Sequence, residues 1–194
     1  MKYNQTDYLI LGILSFHPRQ SGYHIRKTVE TTVGFFWGES YGQIYPTLKR
    51  LLAEGLISAD PAPATSKKPS QEYTITEAGH RCLEEWLAVP YRADPPRDEF
   101  LLKLFFGVEA PSAVSVAHIT RFQQENRALL ATLTQLEAVA KLQDNGTHPG
   151  FPFWMLTLDF GLHQLRSALV WSEAALAKLA ALEAKNLVRN PLAS

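Results

Sequence analysis

The feature that most constrains this chain lies in its C-terminal half, where two runs of residues keep the same stride. Ile119, Phe122, Asn126, Leu129, Leu133, Leu136 and Ala140 recur in alternating steps of three and four, and Met155, Leu158, Leu162, Leu165, Leu169, Ser172, Leu176 and Leu179 do so again. That spacing holds a stripe along one side of an α-helix, as in a coiled coil. Pro111 and Ser112 open the first helix, which is expected to run to about Gln143, and DNGTHPG at 144–150 is turn chemistry. Two helices of about 30 residues, each roughly 45 Å long at 1.5 Å per residue, should fold back on one another as an antiparallel hairpin. Such a hairpin cannot bury its stripe unaided: the apolar seam needs either the N-terminal domain or a second copy of the chain, and its length favours the second. The predicted homodimer interface is therefore Ile119, Phe122, Leu129, Leu133, Leu158, Leu162, Leu165 and Leu169. Asn126 fits two readings, a buried polar residue that fixes register or a turn that faces water.

The N-terminal half has a different grain. A helix is expected over 7–16 with Thr6 as its N-cap, ending before His17-Pro18 because the residue before proline disfavours the helical region. A second follows Ser21 and turns Tyr23, Ile25 and Val29 inward until Gly34, and GQIYPTLKRLLAEGLI (42–57) contains a third. Strands are expected at 56–59 and 71–75, separated by PAPATSKKPS, a loop rich in proline, small residues and lysine. Three short helices followed by strand, turn and strand describe a winged helix-turn-helix with a two-stranded wing. Thr76 then caps a helix that buries Ala78, Cys82, Leu83, Trp86 and Leu87, until VPYRADPPRD (89–98) breaks it with three prolines. The predicted fold is mostly α, with a DNA-binding domain over 1–90 and a helical dimerisation domain over 97–190.

On the third helix, a step of 100° per residue gathers Ile44, Leu48, Leu51 and Leu52 into the buried stripe. Gly42, Gln43, Pro46, Lys49, Arg50 and Ala53 face the other way. Small residues there let a backbone come close to a polyanion while amide and cationic side chains reach phosphates or base edges. Gly55 should end the helix in the left-handed conformation, with Leu56 folding back on Leu51. Pro46 should loosen the preceding SYGQ turn from the rest. Charge matters at this point. Lys plus Arg and Asp plus Glu number 19 each, so the whole molecule has no strong field and a polyanion site must be a local patch.

The stretch SYGQIYPTLKRLLAEGLI followed by YTITEAG, with the earlier YLILGILSFHPRQSGYHI, closely resembles the PadR family of bacterial transcriptional regulators over residues 8 to 90. The long C-terminal helices resemble those of its larger subfamily, where they form the dimer interface. The resemblance implies a dimeric winged helix-turn-helix repressor that inserts the helix at 40–54 into the major groove of double-stranded DNA, on inverted half-sites, and touches the backbone with its wing. It places Ser40, Tyr41, Gln43, Tyr45, Pro46, Lys49 and Arg50 at the recognition positions. Family wings commonly carry an arginine or lysine pair before the strand tyrosine. Here Ser70, Gln71 and Glu72 precede Tyr73, and the nearest cations, Lys67 and Lys68, stand further out on the loop.

Some residues fit more than one role. Tyr45 is either a phosphate donor or an aromatic at the core edge. Lys67 and Lys68 either contact phosphate or keep the loop soluble. Phe151, Phe153, Trp154 and Trp171 either line a small-molecule effector pocket or form plain interface core. Catalysis finds little footing: the six histidines show no metal-ligand spacing, and there is no phosphate-cradling glycine loop or nucleophile elbow. The expectation is a regulator without cofactor or metal, and not an enzyme. The single cysteine excludes an internal disulfide framework, and the short apolar run at the N-terminus reads as cytoplasmic, with no membrane partner. The competing function is a winged-helix module that binds protein without binding DNA.

Overall fold

The computed structural model describes residues 3–38, 41–61, 71–91, 97–143 and 148–189, with the backbone alone at 41, 143 and 185–189. The chain divides into two compact units, Met1–Ala93 and Asp94–Ser194.

In the N-terminal unit, helix α1 (Gln5–Phe16) begins two residues earlier than the spacing predicts. Its cap is Asn4: the Asn4 side chain accepts from the Asp7 N–H at 3.1 Å, and the Asp7 carboxylate accepts from the Asn4 N–H at 2.8 Å. This reciprocal box satisfies two helix-end donors at once, which Thr6 could not do, and Thr6 is buried inside the first turn. Strand β1 (Gln20–Ser21) leads into α2 (Gly22–Thr28), where the Ser21 hydroxyl caps the His24 N–H at 3.3 Å. The helix then widens into a single π turn at Val29–Val33. Ile25 and Val29 are buried as expected, but Tyr23 is 62% exposed, because so short a helix turns only one narrow face to the core.

A 3₁₀ turn at Tyr41–Gln43 precedes α3 (Ile44–Ala53), so the chain ahead of Pro46 is wound differently from the helix behind it. Strands β2 (Ile57–Pro61) and β3 (Gln71–Ile75) follow. The sheet has three strands, not two, in the antiparallel order β1-β3-β2, with Ser21 opposite Glu72 and Ile57 opposite Ile75. Helix α4 (Glu77–Leu87) is capped by the Thr76 hydroxyl, which accepts from the Gly79 N–H at 3.1 Å. Ala78, Cys82, Leu83 and Trp86 pack against a core built from α1, α2, α3 and the sheet, among them Ile10, Leu11, Leu14, Ile25, Ile44, Leu48, Leu51 and Ile57. Trp86 lies flat on Tyr8 with ring centroids 4.6 Å apart. Leu87, expected inside, is the last residue of α4 and is 66% exposed.

The C-terminal unit comprises α5 (Glu99–Phe105), α6 (Ser112–Gln143) and α7 (Phe151–Arg189). Helices α6 and α7 pack along each other as an antiparallel hairpin: the Ser112 hydroxyl meets the Glu183 carboxylate near one end, and Arg127 pairs with Glu173 at 3.3 Å further in. Ile119, Leu133, Leu158, Leu162 and Leu165 are already buried within the single chain, Phe122 and Leu169 are half-buried, and only Leu129 of that set is exposed. The two stripes face each other and hold the hairpin together. Asn126 donates to the carbonyl of Phe122 at 2.7 Å, which satisfies its amide on its own helix.

Candidate nucleic-acid interface

Helix α3 owes its place to four residues. Ile44, Thr47, Leu48 and Leu51 are all at most 1% exposed, and together they form an arc centred about 40° from the one predicted. Thr47 takes the inward place expected for Leu52, which is 36% exposed. The reason lies on α1. The Arg50 guanidinium reaches across to Asp7, with Nε and Nη2 both donating to Oδ1, Nε at 3.2 Å, while Nη2 also lies 3.5 Å from the Thr47 hydroxyl. This bridge draws the Thr47 side of α3 toward α1.

The opposite side is open. Gly42, Gln43, Tyr45, Pro46, Lys49 and Ala53 are exposed. Pro46 stands at the third position of α3, where a missing backbone N–H costs nothing because first-turn donors have no partner within the helix. Among the described residues no carboxylate pairs with Lys49. The helix ends as predicted: Gly55 has φ +70°, the Leu56 N–H donates to the Leu51 carbonyl at 3.0 Å, and the Gly55 N–H donates to that of Leu52 at 3.1 Å.

Tyr45 is both solvent-facing and packed. It is 58% exposed, yet its ring edge lies so close over Gly22 that a Cβ there would meet Cε1 at 2.7 Å. It also faces Tyr73, whose phenol is held above its ordinary pKa by burial first and by Tyr45 second. On β3, Glu72 pairs with Arg19 at 3.1 Å, and Arg19 sits in the left-handed region at φ 59°. That pairing masks the one acidic side chain described on the third strand. Neither Asp7–Arg50 nor Arg19–Glu72 has a sequence signal, since the partners lie 43 and 53 positions apart.

Of the other predicted site residues, Ser40, Lys67 and Lys68 lie outside the described residues, and Tyr41 is described by its backbone alone. The aromatic set does not converge within one chain. Phe151 is half-buried, Phe153 is 69% exposed, and Trp154 packs against His148 with centroids 4.5 Å apart. Trp171 belongs to another cluster, edge-on to Phe100 and Phe122, which are themselves stacked at 4.5 Å. Seventeen positions of one continuous helix separate Trp154 from Trp171, about 25 Å at 1.5 Å per residue. Among the described residues no group of three His, Cys, Asp or Glu side chains is placed to hold a metal ion, and no helix is long and apolar enough to cross a membrane.

A third helix held by its apolar side, offering amide, small and cationic groups outward beside a small antiparallel sheet, defines a winged helix-turn-helix DNA-binding protein. Residues 10–85 match the family described as Transcriptional regulator PadR-like family, and residues 96–180 match Virulence activator alpha C-term. The chain belongs to the PadR-like family and is a DNA-binding transcriptional regulator, not a protein-interaction module. It is 30% identical over 180 residues to the Negative transcriptional regulator PadR of Bacillus subtilis (strain 168), covering 89% of this chain and 96% of that one. The crystal structure of Bacillus subtilis PadR in complex with operator DNA is similar with a TM-score of 0.79 and 28% identity, covering 91% of this chain and 99% of that one. Bacillus subtilis PadR in complex with p-coumaric acid is similar with a TM-score of 0.71 and 29% identity, covering 90% and 98%.

Proposed function

We propose that the chain is a homodimeric, cytoplasmic repressor that reads inverted half-sites with α3 and is released by a small molecule, with residues 1–90 serving DNA and 97–190 serving dimerisation. The observation that carries this reading is the outward face of α3, where Lys49, without a carboxylate partner among the described residues, stands with Gln43, Tyr45 and Pro46. The likeness to a repressor bound to operator DNA supports the DNA reading, and the likeness to the same repressor holding p-coumaric acid supports the effector. Ser40, Tyr41, Lys67 and Lys68 extend the proposed contact set into the groove and onto the backbone. No catalytic step is part of this reading.

The proposed dimer uses the heptad residues Ile119, Phe122, Leu129, Leu133, Leu158, Leu162, Leu165 and Leu169, of which Phe122, Leu129 and Leu169 keep exposed surface in the single chain, together with further apolar residues of α7. Phe153, Leu156 and Phe160 recur at helical spacing on α7 and are 69%, 66% and 64% exposed in the single chain, an apolar strip that a second copy would cover.

The test is a titration of the full chain against duplex DNA that it selects from a random pool, repeated at several salt concentrations. Binding should weaken steeply with salt, and Lys49→Ala should lower the slope of log K against log salt by about one unit per protomer. Absence of salt-dependent binding, or an unchanged Lys49→Ala variant, would count against the reading.

A further inference from the structure

Arg50 occupies a recognition position by resemblance and lies next to Lys49, yet its environment is of another kind. Its guanidinium is the charged partner of Asp7, a carboxylate only 1% exposed. Every oxygen of that carboxylate is used: Oδ2 accepts the Asn4 N–H at 2.8 Å, and Oδ1 accepts both Nε and Nη2 of Arg50. Thr47, itself 1% exposed, stands 3.5 Å from the same Nη2. Transferring Arg50 to a phosphate would leave a buried carboxylate without its cation, a strongly unfavourable exchange.

We propose that Arg50 is a positioning residue that does not touch DNA, and that the buried Asp7 sets operator specificity by locking the roll of α3. The bridge joins the first turn of α1 to the last turn of α3 at the flank of the buried arc. It therefore fixes the rotation of α3 about its axis, and with it the direction in which Gln43, Tyr45 and Lys49 point. Base edges read by hydrogen bonds are sensitive to that direction, whereas attraction to phosphate is not. This inference rests on the reading that α3 enters a DNA groove.

The experiment compares full-length wild type, Asp7→Asn, Arg50→Lys and Lys49→Ala, all at a temperature where circular dichroism shows each folded. Two duplexes are used, one selected by the wild type from a random pool and one scrambled, each over a range of salt. Asp7→Asn keeps a side-chain acceptor for the Asn4 N–H while removing the charge, and Arg50→Lys keeps the charge but not the two-pronged donor. For Asp7→Asn and Arg50→Lys the expected result is a loss of about tenfold on the selected duplex, unchanged binding to the scrambled one and an unchanged salt slope. Lys49→Ala should instead weaken both duplexes and lower the slope. The proposal is overturned if Arg50→Lys binds the selected duplex like wild type, as a phosphate-contacting cation would. It is equally overturned if Asp7→Asn leaves the preference for the selected duplex intact. If the wild type binds neither duplex, the DNA reading itself falls, an outcome distinct from both.

Discussion

Gly79→Ala should destabilise the N-terminal unit, although a helix interior normally gains about 1 kcal/mol when glycine becomes alanine. Gly79 lies in the first turn of α4, where a Cβ would sit 2.1 Å from the Leu56 carbonyl oxygen and 2.7 Å from Ile75 Cγ1. The first of these is backbone and cannot rotate away. That carbonyl also accepts the Thr76 N–H at 3.0 Å, beside the bond from the Thr76 hydroxyl to the Gly55 carbonyl at 2.7 Å. Making room for a methyl group thus disturbs the junction between the end of α3 and the start of α4. Overpacking costs about 1–3 kcal/mol and a weakened hydrogen bond about 1 kcal/mol. Against the propensity gain, the net loss is about 2 kcal/mol, or about 8–16 °C in Tm for a unit of this size. Hydrogen exchange of the α1 amides, whose slowest opening reports unfolding of that core, measures the loss directly. A Gly79→Ala chain with exchange as slow as wild type would refute the close-approach reasoning.

Charge substitutions should separate the two kinds of apolar residue on α7. Leu165→Asp, at a site 8% exposed, should unfold the hairpin with a loss of several kcal/mol, visible as reduced far-ultraviolet helicity. Phe160→Asp, at a site 64% exposed, should leave helicity intact and shift light scattering from dimer to monomer. Alkaline titration gives another check. Tyr8 and Tyr73 are both raised above the ordinary value of 10.0, chiefly by burial. The folded state therefore favours the neutral phenol, so this contribution is complete below pH 10 and is lost as pH rises through the higher folded values. Ultraviolet absorbance should show two tyrosines titrating late, with unfolding following them.

Periodicity carried much of this fold in plain view. Ile44, Leu48 and Leu51, the Thr76 cap, the left-handed Gly55 and the two long helices all follow from local rules that act within a few residues. The misses share a cause. Thr47 and Leu52 exchange places because an arginine on α3 reaches a carboxylate on α1, and a wheel drawn for one helix cannot contain that. Asn4 replaces Thr6 because the cap is a reciprocal pair, not a single preferred residue. Strand β1 is two residues long and exists by pairing with β3. The heptads specify a helix partner without saying whether it comes from the same chain. The candidate site was legible as a face of α3, while the separate parts played by Lys49 and Arg50 required the tertiary structure.

The hairpin also sets an order of events during synthesis. The bonds that join the N-terminal unit, Tyr3 to Glu54 and Asp7 to Arg50, reach back 51 and 43 positions and need nothing beyond residue 91. The hairpin cannot be completed until α7 has been made, and the bond from Ser112 to Glu183 spans 71 positions. At translation speeds of about 5–20 residues per second, the nascent chain holds a finished α3 face for on the order of ten seconds before α7 can close on α6. A newborn molecule thus passes through an interval in which the α3 face is complete while the helical hairpin is still being made.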